Sequence, residues 1–178
     1  MATTSENSPN SMELRMNEQH TISVRVHDRP GVLSRIAQVF ARRGYNIDSL
    51  VVSAAHTRGF SRMTIGCQGD VRVLDQIIKQ LNKLVDVVRA AEHTTEATVE
   101  RELALIKVTS SAQSRSQILQ LVDIFRAKTV DIGEESLVVE VTGTSDKLDA
   151  LENLLTEFGI IEMVRSGKVA MARGKLLT

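Results

Sequence analysis

The apolar residues of this chain change their spacing in the same order twice, and this order leaves few architectures open. Residues 21–26 alternate apolar and polar side chains, which predicts a strand. From Leu33 to Phe40 the spacing becomes three and four residues, which predicts a helix with Pro30 in its first turn and Gly44 after its last. The rest of the first half predicts strand, strand, helix and strand, at residues 46–55, 61–68, 74–81 and 84–90. The predicted order is therefore βαββαβ.

The second half repeats this order. Strands are predicted at residues 103–108, 129–132, 136–143 and 160–164, and helices at residues 118–125 and 148–155. Apolar positions also correspond, so that Met63 and Ile65 match Leu137 and Val139. We therefore predict an α+β protein with two βαββαβ domains in tandem, at residues 20–92 and 101–174, with a polar linker at residues 93–100. Residues 1–19 are polar and are predicted to form a flexible N-terminal tail.

The loop before the first helix is a candidate binding site. Asp28, Arg29, Pro30 and Gly31 place an acid, a base and a glycine at the start of a helix, where backbone N–H groups are unpaired and the dipole is positive. A small carboxylate would bind there, and Asp28 could accept hydrogen bonds from an ammonium group. The loop alone is also explained if Asp28 only caps the helix and Gly31 only shapes the turn. The corresponding residues of the second half, Ser110 to Gln113, lack this combination, so any such site belongs to the first half.

Composition and motifs argue against several classes of function. The formal net charge is +0, which lacks the basic excess of general nucleic-acid binding proteins, and the central strands have no aromatic residues for base stacking. Phosphate-loop, dinucleotide and nucleophile motifs are absent, and the four histidines lack metal-ligand spacing. Cys67 alternates with Met63 and Ile65, which predicts a buried structural thiol. The apolar runs are too short to span a membrane and no secretory signal precedes them, so we expect a cytoplasmic protein without a catalytic or metal site.

Longer segments of the chain resemble one known family. They are "HDRPGVLSRIAQVFARRGYNIDSL", "SRMTI", "QIIKQLNKLVDVVR", "VERELALIKV", "KLDAL" after Thr142 to Ser145, and "MVRSGKVAMARG". Together they resemble the small regulatory subunit of acetohydroxyacid synthase, also called acetolactate synthase. The resemblance extends in order over residues 20–174. It implies that residues 20–92 form an ACT domain, which binds amino acids and dimerises, and that residues 101–174 form a second ferredoxin-like domain.

The resemblance also implies a function without catalysis. In that family a large catalytic subunit carries thiamine diphosphate, FAD and magnesium, and it makes acetolactate from pyruvate. The small subunit carries no cofactor, activates the large subunit and makes it sensitive to valine, and in some members to leucine or isoleucine. The effector lies between paired ACT domains of a homodimer. The matching positions of this chain are Asp28, Arg29, Pro30, Gly31, Val32, Leu33, Asn46 and Ile47.

One departure from the family pattern and two alternative functions stay open at this point. Some family members have Asn and Ser at the positions of Asp28 and Pro30, which bears on the ammonium contact and on effector preference. A free-standing ACT-type amino-acid sensor that regulates another enzyme would share the first domain. An acylphosphatase-like enzyme on a similar fold would need an Arg-bearing phosphate loop with a nearby Asn, and no such pair stands out in the sequence.

Overall fold

The computed structural model describes residues 19–93 and 98–175, and the chain divides into two units with the boundary after residue 94. The predicted tail therefore lies outside the described residues except for Gln19, which begins the first strand. None of the helices in these two ranges is long and apolar enough to cross a membrane. Each unit has its own apolar core and is described separately.

The first unit is a four-stranded antiparallel sheet with two helices. Its elements in chain order are β1 (Gln19–His27), α1 (Val32–Arg42), β2 (Ser49–Ala54), β3 (Phe60–Gln68), α2 (Val71–Leu81) and β4 (Val87–His93). The strands lie in the order β2-β3-β1-β4. Alternate residues of β1 and β3, such as Val24 and Ile65, are buried with Ile36, Phe40 and Leu74 of the helices. The apolar residues that recur every second position on the strands and about every 3.6 positions on the helices thus pack into one core.

The second unit has the same arrangement. Its elements are β5 (Thr98–Thr109), α3 (Arg115–Ile124), β6 (Lys128–Ile132), β7 (Ser136–Gly143), α4 (Ser145–Thr156), β8 (Ile160–Arg165) and β9 (Val169–Ala172). Four strands of this sheet lie in the order β6-β7-β5-β8, which corresponds to β2-β3-β1-β4 of the first unit. The fifth strand, β9, pairs with β5 outside this order. The prediction of two tandem βαββαβ domains of the ferredoxin-like class is confirmed.

The bounds of several elements differ from the prediction. Asn46 lies before β2, which begins at Ser49, and the last strand of the first unit is Val87–His93 rather than residues 84–90. Of the predicted linker, His93 ends β4 and residues 98–100 begin β5, while residues 94–97 lie outside the described ranges. β9 was not predicted. It pairs with the first four residues of β5, which extend that strand beyond the predicted start at Leu103.

Cys67 lies on the buried side of β3 with 2% of its surface exposed. Burial, with smaller contributions from the carboxylates of Asp48 and Glu92, raises the pKa of its thiol to about 12. A thiol with so high a pKa is almost wholly protonated at neutral pH and is a poor nucleophile. The prediction of a buried structural thiol is confirmed.

Candidate functional site

Two backbone hydrogen bonds fix the start of the candidate loop. The N–H of His27, the last residue of β1, donates to the carbonyl of Asp86 at 2.9 Å. The N–H of Asp28 donates to the carbonyl of Gly59 at 2.9 Å. Asp86 precedes β4, and Gly59 lies in the turn between β2 and β3. The loop therefore begins at the end of the sheet, held between these two turns.

Gly31, and not Pro30, is the residue that immediately precedes α1. It is the N-cap residue, with φ 83° and ψ −6°, and α1 starts at Val32. Pro30 lies in the turn before it, so the prediction that Pro30 occupies the first helical turn is wrong. The left-handed φ of Gly31 interrupts the helical backbone at that point, and it strains any residue that has a Cβ.

The N-terminus of α1 has no side-chain cap. No hydrogen bond to a capping side chain is present, and the first turn has no acidic residue. Within residues 19–93 and 98–175, no carbonyl or side chain accepts from the N–H of Leu33 or of Ser34. By contrast, Asp70 caps α2 by accepting from the N–H of Arg72 at 2.7 Å. The interpretation that Asp28 caps α1 is therefore wrong, and two donors remain at the positive end of the helix dipole.

Charged side chains lie beside this helix end. The carboxylate of Asp86 has only 7% of its side chain exposed, and the guanidinium groups of Arg29 and Arg35 both contact it. Arg29 belongs to the loop and Arg35 to the first turns of α1. The two guanidinium groups outnumber this buried carboxylate, and the second negative charge of the region is the exposed carboxylate of Asp28 in the loop. An anion at the N-terminus of α1 would be attracted by the two arginines and repelled by Asp28.

The structure does not bring all the predicted site residues together within one chain. The side chain of Val32 is buried in the core, whereas 42% of Leu33 is exposed. Asn46 and Ile47 follow the opposite end of α1, and an 11-residue helix is about 16 Å long. The amide of Asn46 donates to Asp48 at 2.9 Å, and Ile47 packs against the core. One bound amino acid cannot contact both groups of residues in a single copy.

The corresponding loop of the second unit is closed by its own side chain. The guanidinium of Arg115 donates to Ser110 Oγ at 3.1 Å, to the carbonyl of Gly133 at 2.9 Å and to the carbonyl of Glu134 at 2.7 Å. Ser110 is fully buried. The space between this loop and the β6–β7 turn is thus spanned by an arginine, and the assignment of the effector site to the first half stays a prediction.

Arg35 and Asp86 are the residues of this region that sequence reasoning missed. Arg35 follows the predicted loop by one helical turn, and its charge indicated only a solvent-exposed helix face. Asp86 lies inside a predicted strand, and the only sequence feature that pointed to it is that it is the one charged residue of the apolar segment "LVDVV".

No group of three or more His, Cys, Asp or Glu residues that could hold a metal ion occurs in the part of the chain that the structure describes.

Comparisons with known proteins agree over both units. The family model described as "AHAS small subunit-like ACT domain" matches residues 22–89, and the model described as "Small subunit of acetolactate synthase" matches residues 101–174. The chain is 49% identical over 156 residues to the probable acetolactate synthase small subunit of Archaeoglobus fulgidus, which covers 88% of this chain and 98% of that protein. It is 51% identical over 155 residues to the acetolactate synthase small subunit of Mycobacterium bovis, covering 87% and 92%.

A solved structure shows the same similarity in three dimensions. The crystal structure of the acetolactate synthase small subunit from Thermotoga maritima superposes with a TM-score of 0.80 at 42% identity. The match covers 89% of this chain and 99% of that one.

Proposed function

Since the chain belongs to the family of acetolactate synthase small subunits, with an ACT domain in its first unit, we propose that it activates the catalytic large subunit and makes it sensitive to feedback inhibition by valine. Leucine and isoleucine are expected to act at higher concentration, because one methylene in an apolar pocket changes affinity by about 1–3 kcal/mol. The chain thereby regulates branched-chain amino-acid biosynthesis without catalysing a step itself.

The uncapped N-terminus of α1 is the observation that supports an amino-acid effector most directly. The N–H groups of Leu33 and Ser34 are available donors at the positive end of the dipole, and a carboxylate accepts from such donors. Asp28 is exposed in the loop that leads to this helix end and carries no capping bond, so its carboxylate is available to accept from an ammonium group. These groups together match the two charges of an amino-acid zwitterion. The exposed side chain of Leu33 offers an apolar contact for the effector side chain.

A second copy of the chain would complete the site. Asn46 and Ile47 are too far from the loop in one chain, so they can reach its effector only from a partner. The edge strand β2, "SLVVSA", suits such pairing because it has no charged residue and no proline, and its register with β3 is regular. β6, the edge strand of the second unit, carries Lys128 and Asp131 and has an irregular register between Thr129 and Asp131. We therefore place the dimer contact at β2 of the ACT domain.

The catalytic cofactors of the complex belong, in this proposal, to the large subunit: thiamine diphosphate, FAD and magnesium. The purified chain is therefore expected to form no acetolactate from pyruvate when these cofactors are supplied. Adding it to the large subunit is expected to raise the rate, and valine is expected to lower the rate again. A colorimetric acetolactate assay measures both effects. Turnover without large subunit would contradict the proposal, whereas valine binding without any effect on the large subunit would indicate a free-standing sensor.

Valine binding is expected to reside in the first unit. A fragment that ends after residue 94 keeps the core of its own unit and is expected to bind valine provided that it dimerises. A fragment that begins at residue 95 also has its own core but carries the loop closed by Arg115, so it is expected to show no binding. Isothermal titration calorimetry with each fragment is the measurement. Heat from valine with the second fragment alone would refute the assignment to the first unit.

A further inference from the structure

Asp86 forms hydrogen bonds with the residue before the candidate loop, with the loop and with the helix that follows it. Its backbone carbonyl accepts from the N–H of His27, the last residue before the loop. Its carboxylate accepts from Nη1 of Arg29 at 3.5 Å, within the loop, and from Nη1 of Arg35 in α1. The N–H of Arg35 donates in turn to the carbonyl of Gly31 at 3.2 Å. The residue before the loop is thus attached to the backbone of Asp86, and the loop and the helix that follows are attached to its side chain.

The charge of Asp86 makes this arrangement sensitive to Arg35. A carboxylate that is 7% exposed is costly to bury unless it is paired, and Arg35 is the closer of its two partners. Arg29 is at 3.5 Å with 66% of its side chain exposed, so its contact is weak. If Arg35 were neutral, a poorly compensated negative charge would remain beside a site that must accept a carboxylate. Like charges next to each other at a binding site oppose association.

We propose that Arg35 and Asp86 are positioning residues of the effector site. The pair holds the loop to the turn before β4, and Arg35 cancels the negative charge that would otherwise repel the effector. Neither residue is required to touch the effector. This inference rests on the proposed function, and it goes beyond it because it assigns the control of effector affinity to an ion pair between α1 and the turn before β4.

Arg35→Gln is the first test, in the full-length chain reconstituted with the large subunit. The substitution removes a positive charge and leaves Asp86 undercompensated, and both effects weaken the binding of an anion. The valine concentration for half-maximal inhibition is expected to rise about tenfold or more. The maximal activation by the small subunit is expected to stay unchanged. An unchanged midpoint for valine would overturn the inference.

The second variant separates charge from simple structural support. In Arg35→Gln combined with Asp86→Asn, the uncompensated carboxylate is gone but the contact that holds the loop is lost as well, so the midpoint for valine is expected to return part of the way from Arg35→Gln toward wild type. If the pair only supported the fold, removing both charged groups would be no better than removing one. A double variant with the same midpoint as Arg35→Gln, or a higher one, would therefore overturn the electrostatic role.

Three further comparisons make the outcome unambiguous. Arg101→Gln changes an exposed arginine of the second unit, where the guanidinium donates to the carbonyl of Glu100 instead of a buried carboxylate, and it is expected to leave the midpoint unchanged. Should Arg35→Gln fail to fold, as judged by circular dichroism, Arg35→Lys keeps the charge and is expected to have a midpoint close to that of wild type. A midpoint for Arg35→Lys raised about tenfold or more would then overturn the role of the charge. Gly31→Asp is measured in parallel. If it abolishes inhibition while Arg35→Gln has no effect, only this inference fails; if it too has no effect, the proposed effector site fails.

Discussion

Gly31→Asp is expected to abolish valine inhibition of the reconstituted enzyme while activation by the small subunit remains. Gly31 is the N-cap of α1, and the N–H groups of Leu33 and Ser34 are at the second and third helical positions after it. An N-cap carboxylate typically accepts from these positions, so the new side chain would occupy the donors that the effector carboxylate needs. It would also place a negative charge beside a negative ligand. Both effects weaken effector binding, and neither changes a residue of the β-sheet.

The structure has room for a side chain at Gly31, but the backbone there favours glycine. A Cβ at Gly31 would meet no atom within 4 Å, so the substitution is not excluded by the rest of the chain. The backbone at φ 83° would be strained by about 1–2 kcal/mol with any other residue. Strain alone therefore predicts a loss of stability, and only the charge and the occupied donors predict a loss of valine binding.

Two control variants separate these effects in a valine titration. Gly31→Ala adds a similar strain without a charge, so it is expected to lower stability while keeping a midpoint for valine close to that of wild type. Gly174→Asp adds the same charge and a similar strain in the second unit, where φ is 71° and no atom lies within 4 Å of the new Cβ. Gly174→Asp is expected to stay fully sensitive to valine. Inhibition that persists in Gly31→Asp with an unchanged midpoint would show that the loop is not the effector site.

Val52→Pro is expected to convert the dimer into monomers and to remove valine binding with it. The N–H of Ala55 donates to the carbonyl of Phe60, and hydrogen-bonded pairs in an antiparallel ladder recur at every second residue. Val51 and Ser53 therefore direct their N–H groups toward β3, whereas Val52 directs its N–H to the free edge of the sheet. Proline at Val52 removes a donor that only a second copy would use. Because Asn46 can contribute to the proposed site only from a second copy, dissociation is expected to remove its contribution to valine binding.

Sedimentation velocity and calorimetry measure the two consequences together. Val52→Ala truncates the same side chain but keeps the N–H, so it is expected to remain dimeric and to bind valine. Val51→Pro is unsuitable for this purpose, because it would remove a bond to β3 within the chain. A wild-type chain that sediments as a monomer at micromolar concentration would contradict the dimer, and a monomeric Val52→Pro that binds valine normally would contradict the shared site.

Local periodicity determined the order of elements in this protein. Alternation in β1 and β3 and the spacing from Leu33 to Phe40 specify which side of each element is buried, and this information is carried by neighbouring residues. Gly44 ended the first helix as predicted, because only glycine adopts its left-handed φ of 67° without strain. The contrast between Gly31 and Gln113 likewise assigned the candidate site to the first half, since residue types alone carry it.

Tertiary structure decided how the site is assembled. The ion pair between Arg35 and Asp86 joins residues 51 apart in sequence, and it depends on how α1 and the turn before β4 lie against the sheet. The closure of the second loop by Arg115 depends in the same way on the position of the β6–β7 turn. The separation of Asn46 from the loop follows from the straight length of α1. Periodicity reports which face of an element is apolar, but contacts between polar side chains are set by register and packing, which no local pattern contains.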